Sequence, residues 1–265
     1  PASPAYDTER VRAGLAALEA QGYRPLAPVD RRDGHLAGSA AERARELEVA
    51  FADPAVDAVM CVRGGYGSGQ LLPLIDLERI AAAGKPLIGM SDITHLQVPL
   101  AAAGGTCLWG PMLLKHGGAS EYTATSFRQA VSGEAYSVRM AAAPVQAIVP
   151  GRVRAPLTGG TTSVLCATLG TPWELDSTGQ LLLLEDVCEE PYRIDRLLTQ
   201  LGQAGKLGAA AGIMNVVRTA VRRVTLLGEA VKGIDRVSDF ERATIADVRK
   251  GVVDLAAARA RVSDR

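Results

Sequence analysis

The chain of 265 residues is 48% apolar but only 4% aromatic, which is typical of a globular protein with an aliphatic core, and its length suits one large or two medium domains. Lys and Arg together number 29, as do Asp and Glu. This balance disfavours nucleic acid and charged membrane surfaces as partners.

The four cysteines, Cys61, Cys107, Cys166 and Cys188, are widely spaced and form no C-x-x-C pair. This pattern predicts buried free thiols and argues against a disulfide framework and against a metal site. No apolar stretch approaches the roughly 18 residues of a membrane-spanning helix, and the sequence shows no charged-then-apolar leader. We therefore expect a cytoplasmic protein.

The first half of the chain alternates helical and strand-like patterns, which predicts a doubly wound parallel sheet. In chain order the predicted elements are a helix over 7–22, a weak strand over 23–29, a helix over 42–51, a strand over 57–62, a helix over 69–75, a strand over 86–90, a helix over 92–100 and a strand over 105–111. Because a strand normally precedes the first helix of such a unit, we expect one just upstream of Pro1.

A glycine-rich turn, RGGYGS at residues 63–68, follows the strand predicted over 57–62. Closely spaced glycines let a backbone approach a ligand and point N–H groups at a phosphate, a carboxylate or an oxyanion. The spacing is not that of a dinucleotide fingerprint or a phosphate loop. The alternative interpretation is a tight turn that needs positive φ angles.

Ser91 lies between the strand predicted over 86–90 and the helix that follows it. A strand-to-helix corner holds a hydroxyl at the carboxyl edge of a sheet beside free N–H groups of the new helix, which suits a nucleophilic serine. The alternative is that Ser91 only caps the helix. Adjacent parallel strands would bring this corner and the glycine-rich turn together at that edge.

The second half of the chain begins after a mostly polar connector with one helix predicted over 123–131. Its predicted elements are a segment over 151–157, a small-residue turn over 158–163, a helix over 164–169, a strand over 179–187 and a helix from 191. Four leucines place Glu185 at the tip of the predicted strand. Glu185 is either a functional carboxylate or the partner of Arg193 or Arg196 in an ion pair.

Five motifs, in this order, resemble those of the LD-carboxypeptidase family of serine peptidases, which includes the microcin C self-immunity peptidases. They are RGGYGS at 63–68, IGMSDIT at 88–94, WGPM at 109–112, LTGGTTSVL at 157–165 and LLLLEDVCEEPYRIDRLL at 181–198. The resemblance runs from Pro1 to about Ile213. It implies an amino-terminal α/β domain over 1–115, a connector over 116–150, and a smaller mixed α/β carboxy-terminal domain over 151–213 that is incomplete.

The resemblance also implies a Ser-Glu-His triad in which Ser91 is the nucleophile and Glu185 the carboxylate. The oxyanion hole would consist of the N–H of Asp92 together with that of Gly64 or Gly65. The implied reaction is hydrolysis of the amide bond before the terminal D-amino acid of a murein tetrapeptide during cell-wall recycling. It needs no metal or organic cofactor, and the family suggests a homodimer.

The position of Arg63 makes it the candidate that binds the carboxylate of the substrate. Besides a carboxypeptidase, two further functions fit the motifs: a microcin-type amidase acting on aminoacyl or peptidyl nucleotides, and a non-catalytic peptide-binding relative. A nucleotide-binding α/β domain is disfavoured because the phosphate-loop spacing is absent.

The histidine of the family, which follows the glutamate in a glycine-rich stretch, is missing here. The three histidines are His35, His95 and His116, all before Glu185, and we interpret them as surface or interface residues. After Ile213 the sequence becomes rich in arginine, with helical spacing over 237–262, which predicts a divergent helical tail over 214–265. A frameshift or chimeric junction near residue 214 and a genuine divergent tail are the competing explanations.

Overall fold

The structure of the protein is a computed structural model that describes residues 7–26, 35–133, 151–187 and 189–218. Two compact units divide between Val138 and Arg139, within the predicted connector. Each unit contains one parallel three-stranded sheet with helices. The prediction of an α/β fold with parallel strands is confirmed. Within the described ranges, no helix combines the length and the apolar character that crossing a membrane requires.

The first unit contains six α-helices and three strands within its described residues, together with two 3₁₀-helices. The helices are α1 (Thr8–Ala20), α2 (Ala40–Ala52), α3 (Leu77–Ala82), α4 (Thr94–Ala102), α5 (Leu113–His116) and α6 (Glu121–Val131). The strands are β1 (Val59–Met60), β2 (Leu87–Gly89) and β3 (Cys107–Trp109), and the 3₁₀-helices span Ser68–Leu74 and Ser91–Ile93.

The sheet of the first unit has the strand order β1-β2-β3, with β2 in the centre. Ile88 of β2 pairs with Met60 on one side and with Leu108 on the other. All three residues of β2 are buried, as a central parallel strand covered on both faces should be. Ile88 belongs to a core cluster with Leu18 of α1 and Phe127 of α6. Packing in this core therefore fixes the position of β2 and of the carboxyl edge of the sheet, from which the loops after the strands emerge.

Local side-chain contacts define where the first helices begin. The Asp7 carboxylate accepts a hydrogen bond from the Arg10 backbone N–H and caps α1. Ser39 and Glu42 form a reciprocal capping box at the start of α2. These caps satisfy N–H groups that no helical carbonyl can reach.

The second unit contains three strands and three α-helices within its described residues. They are β4 (Leu157–Thr161), α7 (Thr162–Ala167), β5 (Leu181–Val187), α8 (Pro191–Gln203), α9 (Lys206–Ala209) and β6 (Gly212–Arg218). The strand order is β4-β5-β6, all parallel. The leucines of β5 are buried in the centre, as the apolar run at residues 181–184 predicts.

Two predictions from the sequence differ from the structure around β4 and before α2. Residues 158–161, predicted to be part of a turn, belong to β4. Glycine disfavours a strand, but the hydrogen bonds with β5 hold these residues in the sheet. Residues 23–26 form no strand, and the rest of the predicted strand over 23–29 lies outside the described residues.

The predicted boundary between residues 213 and 214 falls inside β6, which pairs with β5 through Arg218. Residues 214–218 are therefore part of the sheet and not of a helical tail, because their backbone continues the parallel ladder. The helix predicted over 237–262 lies outside the described residues. The other predicted domain limits stay predictions.

Gly159 is the point where β4 depends most directly on the absence of a side chain. Its φ is 117°, and a Cβ built there would lie 2.0 Å from the carbonyl oxygen of Leu183 on β5. By contrast, Gly179 also has a positive φ, 68°, but a Cβ there meets nothing within 4 Å. Substituting each of the two glycines therefore distinguishes the effect of close packing, which applies at Gly159, from the effect of backbone conformation, which applies at both.

We expect Gly159→Ala to lower the free energy of unfolding by about 3 kcal/mol or more, since strain at positive φ adds to a backbone collision. Gly179→Ala, the matched control, should cost about 1 kcal/mol from backbone conformation alone. Urea-induced unfolding followed by circular dichroism measures both. Equal losses in the two variants would contradict the packing described for β4.

Candidate active site

Ser91 occupies the corner between β2 and α4 as the first residue of the 3₁₀-helix Ser91–Ile93. Its φ of 62° makes it the one residue other than glycine with positive φ within the described ranges. A non-glycine residue in this conformation costs roughly 1–3 kcal/mol and is maintained only where the surrounding structure enforces it. The predicted strand-to-helix corner is confirmed, and it is a strained one.

The alternative interpretation, in which Ser91 only caps the helix, is wrong. The residues in the cap position are Met90 for the 3₁₀-helix and Ile93 for α4, and neither end has a side-chain cap. The Ser91 side chain is half-buried. Its hydroxyl is therefore not used in capping, and the N–H groups that begin the helical turn have no carbonyl within that turn to bind.

The glycine-rich turn at 63–68 packs directly against Ser91. A Cβ built on Gly64 would lie 3.0 Å from the Ser91 Cβ and 3.2 Å from its Oγ. Only glycine at position 64 leaves the hydroxyl unobstructed. Gly65 and Gly67 have φ angles of 111° and 114°, so the turn also needs glycine for its conformation. The interpretation as a tight turn that needs positive φ angles is confirmed, and the approach of its backbone to a ligand stays a prediction.

Two charged side chains bind the turn from its buried side. Arg43 of α2 is 1% exposed, and it donates from Nη1 to the Gly67 carbonyl at 2.8 Å and from Nη2 to Gln70 Oε1 at 2.6 Å. Asp92, also buried, accepts a hydrogen bond on Oδ2 from the Ser68 backbone N–H at 2.8 Å. The turn is thus tied to α2 and to the residue that follows Ser91.

Burial and Asp92 act in opposite directions on Arg43. Burial lowers the pKa of the Arg43 guanidinium, and the nearby Asp92 carboxylate raises it. Arg43 stays charged because arginine remains protonated at neutral pH even after a large shift. Each charge offsets part of the other's desolvation, so the two are most stable together.

Ser91 borders a cavity of about 320 Å³ within the first unit. It is lined by Asp7, Arg10, Arg63, Gly64, Gly65, Ser91, Met112, Leu114 and Lys115. The structure thereby brings together four of the predicted site residues, Arg63, Gly64, Gly65 and Ser91. Their side chains and backbone come from the ends of β1 and β2, as adjacent parallel strands require.

Glu185, the predicted triad carboxylate, lies in the second unit, two residues before the end of β5 and not at its tip. It is 7% exposed, and its Oε2 accepts a hydrogen bond from Thr161 Oγ1 at 3.0 Å. Burial raises the pKa of the Glu185 carboxyl, the Thr161 hydroxyl lowers it, and the neighbouring Asp186 charge raises it. The carboxyl is a buried, weakly compensated acid, which is common at functional sites.

The two arginines considered as ion-pair partners of Glu185 contact other residues. Arg193 pairs with Glu189, one helical turn before it. The Arg196 guanidinium lies over the Tyr192 ring, 5.4 Å from its centre. Among the described residues, the Glu185 side chain accepts its hydrogen bond from the neutral Thr161 hydroxyl, so the charge is held by a weak donor.

The three histidines have different environments, and the surface location expected for His116 is wrong. His116 is buried, with its ring edge-on to Phe127 and Nε2 3.3 Å from the Pro111 carbonyl, because α5 turns it into the core. His35 is exposed beside Tyr66. His95 is half-buried against Gly69, and burial lowers its pKa.

The cysteines of the described residues are poorly suited to act as nucleophiles. Burial raises the pKa of Cys61 to about 11 and that of Cys107 and Cys166 to about 12, so these thiols stay protonated at neutral pH. Cys61 and Cys166 are buried as expected, Cys107 is half-buried, and Cys188 lies outside the described residues. No group of three or more His, Cys, Asp or Glu side chains that could hold a metal occurs in the described part of the chain.

Sequence reasoning missed Arg43, Thr161 and Lys115. A signal for Arg43 was present: it lies on the same face of α2 as the buried Leu47, where a charge is unusual. The sequence predicts Thr161 to be part of a turn, whereas pairing with β5 places it opposite Glu185. No pattern in the sequence marks Lys115.

Comparison with known proteins identifies relatives of both units. The family model for the LD-carboxypeptidase N-terminal domain matches residues 1–110, and that for the LD-carboxypeptidase C-terminal domain matches residues 154–247. The second match extends beyond Ile213, where the quoted motifs end. A probable murein peptide carboxypeptidase from Bacillus subtilis (strain 168) is 38% identical over 220 residues, which are 81% of this chain and 69% of that protein.

Solved structures of similar fold include two kinds of protein. The muramoyltetrapeptide carboxypeptidase from Oxalobacter formigenes is 25% identical, with a TM-score of 0.72 over 99% of this chain and 82% of that one. MccF, a microcin C7 self immunity protein, in complex with glutamyl sulfamoyl guanosine is 22% identical, with a TM-score of 0.78 over 88% of this chain and 82% of that one. The second likeness shows the fold alone.

Arg43→Met should lower the free energy of unfolding by about 3–5 kcal/mol, because it leaves the Gly67 carbonyl and the Gln70 side chain without their buried donor and removes the positive charge near the buried Asp92. Arg45→Met removes the same charge from an exposed position of the same helix and should change stability by less than about 0.5 kcal/mol. Urea-induced unfolding of both variants measures the difference. Equal, small effects would show that Arg43 does not hold the turn.

Glu185→Gln tests the electrostatics of the buried carboxyl through pH. Because the folded pKa is raised above its ordinary value of 4.5, the protonated carboxyl adds stability below that value, and this contribution is lost as pH rises through the folded pKa. The glutamine variant should therefore gain stability relative to the native chain between pH 4 and pH 7, measured by thermal unfolding. Glu190→Gln, which removes the same charge from an exposed position, is the matched control.

Proposed function

This chain belongs to the LD-carboxypeptidase family, and we propose that it is a serine-type carboxypeptidase acting on murein tetrapeptides. The bond hydrolysed is the amide before the terminal D-amino acid. The observation that carries the proposal is the strained Ser91 corner, whose hydroxyl lies against Gly64 in a pocket bordered by cations. The names of the relatives above support the substrate class.

Ser91 acts as the nucleophile in this proposal. Its Oγ bonds to the carbonyl carbon of the scissile amide, the amine of the terminal residue leaves with a proton, and water then hydrolyses the ester. The N–H groups of Asp92 and of Gly64 or Gly65 stabilise the negative oxygen of the tetrahedral intermediate. Loss of one such donor typically costs about 10²–10³ in turnover. Arg63 binds the substrate carboxylate.

Glu185 is the triad carboxylate that orients the catalytic base. This assignment requires the Glu185 carboxyl to face the same crevice as Ser91. Burial with a single neutral donor supports it, since such a carboxylate gains from an imidazolium forming nearby.

The base itself has no counterpart in this sequence, because no histidine follows Glu185. The His116 ring is buried and contacts the Pro111 carbonyl, which leaves it unsuited to the role. General-base catalysis contributes about 10²–10⁴ in rate, so we expect hydrolysis by this chain to be slower by that factor than in a relative with the complete triad. Imidazole from solution is a small molecule that can supply the missing group.

A microcin-type amidase on aminoacyl or peptidyl nucleotides is the second candidate. The observation in its favour is the likeness of fold to MccF, which was solved with glutamyl sulfamoyl guanosine. A peptide-binding relative without turnover is the third, favoured by the missing histidine. On the family resemblance, we also propose that the protein is a cytoplasmic homodimer and takes part in cell-wall recycling.

Added imidazole should accelerate release of D-alanine from a murein tetrapeptide by this chain at least about tenfold, because it replaces a base worth about 10²–10⁴. Triad members act as a unit, so without imidazole Ser91→Ala should change the slow rate little. With imidazole, Ser91→Ala should abolish the acceleration. Amino-acid analysis of the released D-alanine measures the rates.

Glu185→Gln should reduce the imidazole-dependent rate, whereas Glu190→Gln, at an exposed position, should leave it unchanged. An aminoacyl sulfamoyl adenosine assayed in parallel separates the amidase from the carboxypeptidase. Imidazole-dependent release that persists in Ser91→Ala would contradict the role of Ser91. Tight peptide binding without release under any condition would favour the non-catalytic relative.

A further inference from the structure

The pocket beside Ser91 carries more positive charge than the proposed function uses. Arg10, Arg63 and Lys115 border it, and Asp7 is the one acidic side chain in its lining. These residues come from α1, from the end of β1 and from α5. A cavity of about 320 Å³ whose described lining holds three cationic side chains and one acidic side chain favours a ligand with negative charge.

Arg10 and Asp7 serve each other and the backbone. Arg10 Nη2 donates to the Leu114 carbonyl at 3.1 Å, and its Nε lies 3.9 Å from Asp7 Oδ2. The Asp7 carboxylate also caps α1. The Asp7 charge is therefore already compensated by Arg10 and by the N–H groups that it caps. These contacts also hold the start of α1 against α5 at the rim of the pocket.

Lys115 has no acidic partner among the described residues, and its side chain is exposed. Its position is nevertheless fixed by the backbone. The Leu113 N–H donates to the Cys61 carbonyl at 3.1 Å, and the Leu114 N–H donates to the Val62 carbonyl at 3.2 Å. This pairing places Lys115 beside Arg63, which follows Val62.

We propose that Lys115, together with Arg63, binds the free carboxylate of the substrate's terminal residue and makes the pocket select peptides that end in a carboxylate. The inference rests on the proposed function and names a specificity residue for it. The scissile carbonyl and the terminal carboxylate belong to adjacent residues, so their binding groups must lie within one residue's length of each other. Ser91 and Lys115 both line the cavity of about 320 Å³.

The apolar side of the pocket fits the same ligand. Met112 and Leu114 contribute to the lining between Ser91 and Lys115. A terminal residue with a small apolar side chain can rest on them while its carboxylate meets the cations. A phosphate would satisfy the cations equally well, so phosphate is the alternative that the experiment must separate.

Isothermal titration calorimetry of the full chain with a murein tetrapeptide and with its C-terminal carboxamide tests the inference without requiring turnover. A hydrogen bond to a charged group is worth roughly tenfold or more in affinity. We expect the carboxylate peptide to bind at least about tenfold more tightly than the carboxamide. Lys115→Met should weaken the carboxylate peptide about tenfold and change the carboxamide less than twofold.

Arg12→Met is the matched control, since it removes one positive charge from an exposed position of α1 outside the pocket lining. It should leave both affinities unchanged. Equal affinity of the native chain for the two peptides, or equal weakening of both by Lys115→Met, would overturn the inference and leave the hydrolase proposal standing. Binding of neither peptide would overturn both.

Inorganic phosphate and adenosine monophosphate are titrated as competitors in the same experiment. D-alanine is titrated as the reference competitor that carries a carboxylate. If phosphate or adenosine monophosphate displaces the tetrapeptide at a lower concentration than D-alanine does, and Lys115→Met removes this displacement, the cations recognise phosphate and the carboxylate assignment is wrong. A selective loss of carboxylate binding in Lys115→Met with no D-alanine release in any assay would support this inference while contradicting the hydrolase.

Discussion

The candidate site depends on a pair of buried charged contacts beneath the glycine-rich turn. Arg43 holds the Gly67 carbonyl and Asp92 holds the Ser68 N–H, from segments that are distant in the sequence. Together they fix the turn whose Gly64 lies against the Ser91 hydroxyl. A left-handed serine is stable only where its surroundings enforce that conformation, so the strain at Ser91 and the rigidity of the turn belong to one arrangement.

The sequence predicted the parts of this arrangement that follow from periodicity and turn chemistry. The apolar run before Ser91 is a buried central strand, and the polar hydroxyl follows at its carboxyl end, as the pattern indicates. Arg43 could not be placed in the same way. Helical spacing puts it on the buried face of α2, but only the tertiary structure provides the carbonyl and carboxamide oxygens that make a buried guanidinium tolerable there.

Tertiary context also explains the features that sequence reasoning placed wrongly. Gly159 and Thr161 have the composition of a turn, yet the neighbouring β5 draws them into a parallel ladder, where the missing Cβ of Gly159 admits the Leu183 carbonyl. His116 follows a short apolar segment in a region that is polar overall. Packing against Phe127 turns its ring inward, and a single sequence carries no signal for that contact.

The buried Glu185 and the cationic Ser91 pocket are electrostatically unbalanced in opposite directions. A carboxylate whose donor among the described residues is neutral favours an approaching cation, and a pocket lined by more cationic than acidic side chains favours an approaching anion. Both are properties of sites that are completed by a ligand or a reacting group. Structural ion pairs, such as the contact of Lys206 with Glu174, are instead already complete.

A crystal structure of the full chain with an intact murein tetrapeptide tests the central claim most directly, and the missing triad histidine should leave the peptide uncleaved long enough to observe it. The account predicts the scissile carbonyl over the N–H groups of Asp92 and of Gly64 or Gly65, and the Ser91 hydroxyl and Glu185 carboxyl facing one crevice. A peptide bound elsewhere, or Glu185 and Ser91 on opposite faces of the molecule, would contradict it.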